Sequence, residues 1–301
     1  MRYKWGIDLG GTKIEGVILD SENNNTTIAR LRLPTEQQKG YTHILNQIHG
    51  VILKLQKETG IAPTHIGMGT PGVIDPTTEK MKNSNTLCLI GQTLKKDMEK
   101  LSGLEFRTSN DANCFAVAET VLGAVADMNP IPRVVFGIIM GTGVGGGLVI
   151  DGHVINGRHG IAGEWGHNVL EHDGPDCYCG KKGCVEKIIA GPSLERYYTE
   201  LSGTQKCLKE ISAAHQNGTD TYATQTIHYM VDKFGKAISV ILNTIDPDVV
   251  ILGGGVGNIP DLLDNAVEAA TSYIFNDSVE TIFLRPKLGD SAGVFGAALL
   301  W

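Results

Sequence analysis

The chain has 301 residues, 42% hydrophobic and 20% charged, with a formal net charge of -7. That length and balance give a globular chain able to bury one large or two medium cores. The negative charge, with no run of Lys or Arg, excludes a nucleic-acid surface and makes a small molecule the expected partner.

Polar residues interrupt every apolar run in the first twenty positions, MRYKWGIDLGGTKIEGVILD. Neither a signal peptide nor a membrane span is expected, so the expected location is cytoplasmic. Thiols stay reduced there, and the six cysteines are not expected to form three disulfides.

Lys4 to Ile7 reads as a strand, Gly10-Gly11-Thr12 as a turn and Ile14 to Leu19 as a return strand. Thr42 to Glu58 places Ile44, Ile48, Val51, Ile52 and Leu55 at helical spacing. His65 to Gly69 is a strand that runs into the turn Thr70-Pro71-Gly72. Gln92 to Leu101 reads as helix, Phe106 to Thr108 as extended and Ala112 to Val125 as helix. Arg133 to Met140 is a strand, Gly141 to Gly147 a second Gly-rich turn, and Leu148 to Ile150 a return strand into Asp151-Gly152. This repeats the opening arrangement and implies two related halves, divided near residue 117. Ser193 to Leu201, Gln205 to Asn217 and Thr221 to Thr244 are helical. Asp248 to Leu252 is a strand entering Gly253-Gly254-Gly255, followed by a helix from Pro260 to Tyr273, a strand from Thr281 to Leu284 and a helix from Ala292 to Leu300. Strands alternating with helices indicate an α/β protein.

Glycine turns admit phosphate because no side chain screens the backbone N–H groups. Three such runs, at Gly10, Gly141 and Gly253, each follow a hydrophobic strand and together point to a nucleotide. Gly141-x-Gly143-x-x-Gly146 matches the dinucleotide fingerprint by letter, but it opens a β-branched hairpin where that motif needs a helix, and no Walker A loop is present. Asp8-x-Gly10-Gly11-Thr12-Lys13 fits a phosphate-binding hairpin, in which Asp8 either holds hydrated magnesium or stabilises the turn. Asp111, at a strand end, is either the N-cap of the following helix or a general base. Cys177, Cys179 and Cys184 with His167 form a Cys₃His set whose thiolates favour zinc. His172 is an alternative ligand to His167, and buried free thiols are the alternative to a metal. Cys88, Cys114 and Cys207 stand apart and are expected in the core.

These residues resemble the ROK (repressor, open reading frame, kinase) sugar kinases over almost the whole chain. Asp8 to Lys13 looks like the family's first phosphate motif, Asn110-Asp111-Ala112-Asn113 like its catalytic segment, and Gly141 to Gly147 like its second phosphate motif. Glu164-x-Gly166-His167 with Cys177-x-Cys179 and Cys184-x-Glu186 is similar to the family signature, and Asp246 to Gly255 to its adenosine-side segment. The resemblance implies an actin-like or hexokinase-like fold of two α/β domains closing over a cleft. A smaller domain would span 1–117 and be joined by the C-terminal helix, about 288–301, with a larger domain over 118–287 carrying the zinc loop. ATP and magnesium would sit on Asp8, Gly10, Gly11, Thr12, Lys13, Gly141, Thr142, Gly143, Gly145, Gly253, Gly254 and Gly255. Asp111 would be the general base, Asn85, Asn110, Glu164, His167 and Glu186 would touch the sugar, and structural zinc would be held by His167, Cys177, Cys179 and Cys184.

Asn83-Ser84-Asn85-Thr86, Gly91-Gln92 and the close cysteine spacing are similar to the bacterial fructokinase branch, so fructose is the first substrate expected. Mannose, glucose and N-acetylglucosamine follow it. A homodimer is expected by family analogy. A sugar-responsive repressor would need a helix-turn-helix domain ahead of the first phosphate strand, which begins by Lys4; a silent sugar sensor is disfavoured by Asp111.

Overall fold

The computed structural model describes residues 2–301. In chain order the elements are strands β1 Tyr3–Leu9, β2 Lys13–Asp20 and β3 Thr26–Pro34, helix α1 Tyr41–Thr59, strands β4 His65–Thr70, β5 Val73–Ile74 and β6 Met81–Lys82, helix α2 Leu94–Ser102, strand β7 Glu105–Asn110 and helix α3 Asp111–Val121. Strands β8 Val134–Met140, β9 Val144–Ile150 and β10 His153–Val154 follow, with helices α4 Val185–Ile189, α5 Gly191–Ser202, α6 Leu208–Gln216 and α7 Thr221–Ile245. The chain ends with β11 Val249–Gly253, α8 Gly254–Gly257, α9 Pro260–Thr271, β12 Ile282–Leu284 and α10 Ala292–Ala298. No helix among the described residues is long and apolar enough to cross a membrane.

Two five-stranded sheets repeat one plan, in the orders β3-β2-β1-β4-β7 and β10-β9-β8-β11-β12. In the first, β1, β2 and β3 pair antiparallel while β4 and β7 add in parallel. In the second, β10 pairs antiparallel with β9, and β11 and β12 add in parallel. The repeated strand, Gly-rich turn and strand thus mark two halves of one topology. Asp151 and Gly152 take the positive φ values, 49° and 76°, of a tight hairpin turn between β9 and β10.

The chain divides into two compact units. The first holds Met1–Ala126, Gly147–Ala162 and Lys287–Trp301, and the second Asp127–Gly146 and Gly163–Pro286. This differs from the division expected at 117 and 118. The first unit keeps all of α3 and takes in 147–162, because Gly147 lies so close to the helix that a Cβ there would stand 2.8 Å from Asn113 Cα.

In the first unit the strand alternation sorts side chains onto two faces. Trp5, Ile7, Leu9, Ile14 and Ile18 join the cluster that buries Ile44, Ile48, Val51, Ile52 and Leu55 of α1, the stripe its spacing predicts. On the opposite face Val17 and Leu19 pack with Val294 and Ala298 of α10. The helix comes close enough that a Cβ on Gly67 of β4 would overlap the Ala297 carbonyl, and one on Gly6 of β1 would lie 2.6 Å from Ala298 N. Only glycine permits backbone to rest on backbone in this way.

In the second unit α7 runs along α9. Its N-cap Asp220 accepts from Tyr222 N and Ala223 N, and also pairs with Lys206 at 2.7 Å.

Several boundaries differ from the periodic reading. The helix expected over Ala112 to Val125 ends at Val121, where the buried Glu119 accepts from Ala124 N at 2.9 Å and turns the chain. Strand β3 was absent from the expectation, although Ala29 to Leu33 alternates apolar and charged residues. Cys207 is exposed at the N-cap of α6 and is not a core residue.

Gly67→Ala forces α10 off β4, and we expect it to cost about 2–3 kcal/mol in urea unfolding, the upper range for overpacking a tight interior. A stability equal to wild type would show that α10 is free to shift.

Candidate active site

In the first unit Gly10, Gly11 and Thr12 form the tight connection between β1 and β2, closed by Gly10 N donating to Lys13 O at 2.9 Å. Thr35 braces it, its Oγ1 donating to Gly10 O at 2.6 Å and its N donating to Thr12 O at 3.0 Å. The Thr12 side chain stays exposed and Lys13 half-buried. A Cβ on Gly11 would stand 3.6 Å from Thr86 Oγ1, so the segment bearing the exposed Asn85 runs beside this turn.

Asp8 sits at the end of β1 between two glycines. Cβ atoms placed on Gly69 of β4 and Gly293 of α10 would lie 3.1 and 3.0 Å from its carboxylate oxygens. Burial, reinforced by the charges of Asp111 and Glu15 and opposed by Lys13, pushes Asp8 up to about 7. Glu15, opposite Asp8 in the β1–β2 register, was missed as a site residue. Its side chain is 1% exposed, accepts from Arg32 Nε at 2.8 Å, pairs with Arg30 and lies 3.6 Å from Lys13 Nζ. Counting symmetrically outward from the turn would have placed it.

Asn110, not Asp111, is the N-cap of α3, and its Oδ1 accepts from Asn113 N at 2.8 Å. Asp111 occupies the first helical position, where its Oδ1 accepts from Ala112 N at 2.8 Å. The residue as a whole is open to solvent, yet protein atoms crowd around its carboxyl. That crowding outweighs the helical N–H donors and raises its pKa.

In the second unit the turn before β9 is fixed by Gly141 N donating to Gly143 O at 2.9 Å and by Gly191 N donating to Gly141 O at 2.8 Å. Thr142 is exposed at its tip. Glu186 reaches this turn, its Oε2 accepting from Val144 N at 3.1 Å, and a Cβ on Gly143 would stand 2.8 Å from the same oxygen. Trp165 Nε1 donates to Gly145 O at 3.1 Å, which ties the Glu164 segment to the same strand. Gly253, Gly254 and Gly255 do not form a third hairpin turn, because β11 passes straight into α8. Gly254 has φ +82° and presses on the Met140 carbonyl at the end of β8.

The potential ligand atoms of His167, Cys177, Cys179 and Cys184 all lie within 4.8 Å of one another. Cys179 Sγ is 3.5 Å from Cys184 Sγ, and Cys177 Sγ is 3.6 Å from His167 Nδ1. A tetrahedral site with Zn–S of about 2.3 Å requires sulfurs ~3.8 Å apart, so the set fits zinc. Burial and the adjoining thiols push Cys184 up to about 12, and three thiolates gather here only around a cation. The short bridges Val169 to Cys184 and Asp176 to Lys182 brace the loop. His172 is absent from the cluster. Tyr178, also missed, places its hydroxyl 3.0 Å from His167 Nε2.

The folded pKa of Asp8 lies above the ordinary carboxylate value, so the metal-free protein loses stability as pH rises from about 4 to about 7. Asp8→Asn removes that cost. Its thermal midpoint in chelator should exceed wild type by more at pH 8 than at pH 5, and a difference independent of pH would refute the assignment.

Comparison with known proteins gives the family of the chain. The ROK family matches residues 4–301. An N-acetyl-D-glucosamine kinase of Aliivibrio salmonicida is 33% identical over 306 residues, covering 98% of each chain, and one of Vibrio atlanticus is 34% identical over 310 residues with the same coverage. Among solved structures, a ROK hexokinase from Thermus thermophilus superimposes with a TM-score of 0.86 at 30% identity, covering 99% of this chain and 97% of that one. A ROK family glucokinase from Streptomyces griseus, in complex with glucose and AMPPNP, gives 0.76 at 26% identity, covering 98% of each. With relatives at that identity along their full length and a family match over all but its first three residues, the chain belongs to the ROK family.

Proposed function

We propose that this ROK family sugar kinase transfers the γ-phosphoryl group of ATP to the 6-hydroxyl of an aldohexose, with N-acetylglucosamine first and glucose second. The observation that carries the reading is Asp111, an exposed acidic residue at the first position of α3 whose Oδ1 accepts from Ala112 N and whose pKa the surrounding protein raises. The two curated relatives described above are N-acetyl-D-glucosamine kinases, and one solved neighbour holds glucose. Fructose, preferred on the resemblance of Asn83 to Thr86, gives way to these.

Asp111 accepts the proton of the attacking hydroxyl, and its raised pKa strengthens it as a base. Backbone N–H groups of the Gly10 to Lys13 and Gly141 to Gly145 turns donate to phosphate oxygens. Asp8 would hold magnesium through its water shell, and the ion supplies neutralising charge at the phosphates. Gly253, Gly254 and Gly255 serve the adenosine side. Asn85, Asn110, Glu164 and His167 take sugar hydroxyls, as does the Glu186 oxygen not committed to Val144. His167, Cys177, Cys179 and Cys184 would hold zinc, and four protein ligands leave no open position for catalysis by the metal.

An ADP-release assay with ATP, magnesium and a panel of hexoses tests the reading. N-acetylglucosamine or glucose should give the highest kcat/KM, and no turnover with any hexose would sink it. Asp111→Asn should lower kcat by at least ~10²-fold with ATP affinity retained. Metal analysis should find about one zinc per chain in the wild type and a clear loss in Cys179→Ser, and undiminished zinc in that variant would remove Cys179 from the set.

A further inference from the structure

Tyr178 is 75% exposed, an unusual degree for a large aromatic in a loop otherwise pinned by backbone hydrogen bonds. Its hydroxyl nevertheless stands 3.0 Å from His167 Nε2, and the two rings meet edge to face with centroids 5.1 Å apart at 86°. The other nitrogen of His167, Nδ1, faces Cys177 Sγ at 3.6 Å. With Nδ1 turned to the thiols, Nε2 is the only ring nitrogen left for a ligand, and Tyr178 occupies it. His167 is one of the groups assigned to the sugar above, so Tyr178 stands directly against a residue of that assignment.

A histidine whose Nδ1 faces a metal carries its proton on Nε2 and offers one donor. Tyr178 Oη accepts that donor in the free protein, and a sugar hydroxyl needing it must take the place of the phenol. The exchange replaces one neutral N–H···O bond by another and costs little. A tyrosine ring also presents an apolar face suited to the C–H face of a pyranose.

We propose that Tyr178 is a substrate-responsive cap on the sugar subsite: its hydroxyl stands in for a sugar hydroxyl at His167 Nε2, gives way as the hexose binds, and its ring then covers the apolar face of the sugar. The proposal rests on the sugar-kinase reading and adds a residue that contacts substrate. It separates the two parts of one side chain. The hydroxyl competes with the sugar, while the ring holds it.

Tyr178→Phe and Tyr178→Ala test this, with hexose KM, ATP KM, kcat, zinc per chain and hexose affinity by calorimetry measured for each. Tyr178→Phe removes the competitor and keeps the ring, so hexose KM should fall about threefold, the worth of one neutral hydrogen bond, with kcat, ATP KM and zinc unchanged. Tyr178→Ala removes both, and hexose KM should rise about tenfold. A rise in hexose KM for Tyr178→Phe would make the hydroxyl a fixed sugar ligand and overturn the cap. Unchanged hexose KM in both variants, or changes that follow zinc loss, would assign Tyr178 to loop structure alone. Wild-type turnover in the same assay reports separately on the kinase reading. Should it be absent, calorimetry of sugar binding to the variants still decides the cap.

Discussion

The backbone of α10 rests directly on β1 and β4, and the first half of the candidate site depends on that seating. Gly6 and Gly67 leave the sheet bare where Val294, Ala297 and Ala298 arrive, and Gly296 lets the same helix press on the Cys114 carbonyl of α3. The helix is therefore held against a sheet and a second helix by surfaces without side chains. Such contacts have little tolerance, because a close-packed interior transmits the displacement of any added atom. Gly293, near the start of α10, is thereby placed against the Asp8 carboxylate, which ends up enclosed between two glycines and not paired with a cation.

That enclosure explains the electrostatics of the first unit. Reading across the sheet by register, Gly69, Asp8, Glu15 and Arg32 lie side by side. Glu15 is the buried charge of the row, and isolated it would cost several kcal/mol. Arg30, Arg32 and Lys13 offset that cost, and Arg32 Nη2 reaches on to Ser291 Oγ at 3.1 Å, just before α10. The cations are thus committed to Glu15, while Asp8 is left with burial and two carboxylates as its chief influences, a state suited to receiving a cation from solution.

In the second unit the cysteine loop does for His167 and Glu186 what glycine packing does for Asp8 in the first. Gly183, at φ +58°, lies so close to Glu171 that a Cβ would overlap its carbonyl, and Leu170 N and Glu171 N both donate to Gly183 O. These backbone contacts brace the loop independently of any metal. His167 sits at one end with its two nitrogens facing different partners, and Glu186 follows Cys184 directly into α4, from which it reaches the Gly-rich turn. Holding Cys184 therefore holds Glu186, and in the proposed reading the four-ligand set would position sugar contacts without lying among the reacting groups.

The sequence by itself determined whatever depends on neighbours along the chain. The buried stripe of α1, the two strand, Gly-rich turn and strand repeats, the hairpin after Ile150 and the cluster of three thiols with His167 were all legible, because periodicity, turn chemistry and ligand spacing are local. Tertiary structure decided the rest. Asn110 took the cap that Asp111 was offered, since a choice between adjacent residues turns on backbone geometry. Strand β3, the burial of Glu15, the reach of Glu186 to Val144 and the closing of Tyr178 on His167 join residues whose partners are fixed only by register or loop path. The same holds for the two Asp residues singled out from the start: their identity was readable as motif, but the raised pKa of each comes from the protein packed around it, which encloses Asp8 and crowds Asp111 while leaving that residue open to solvent.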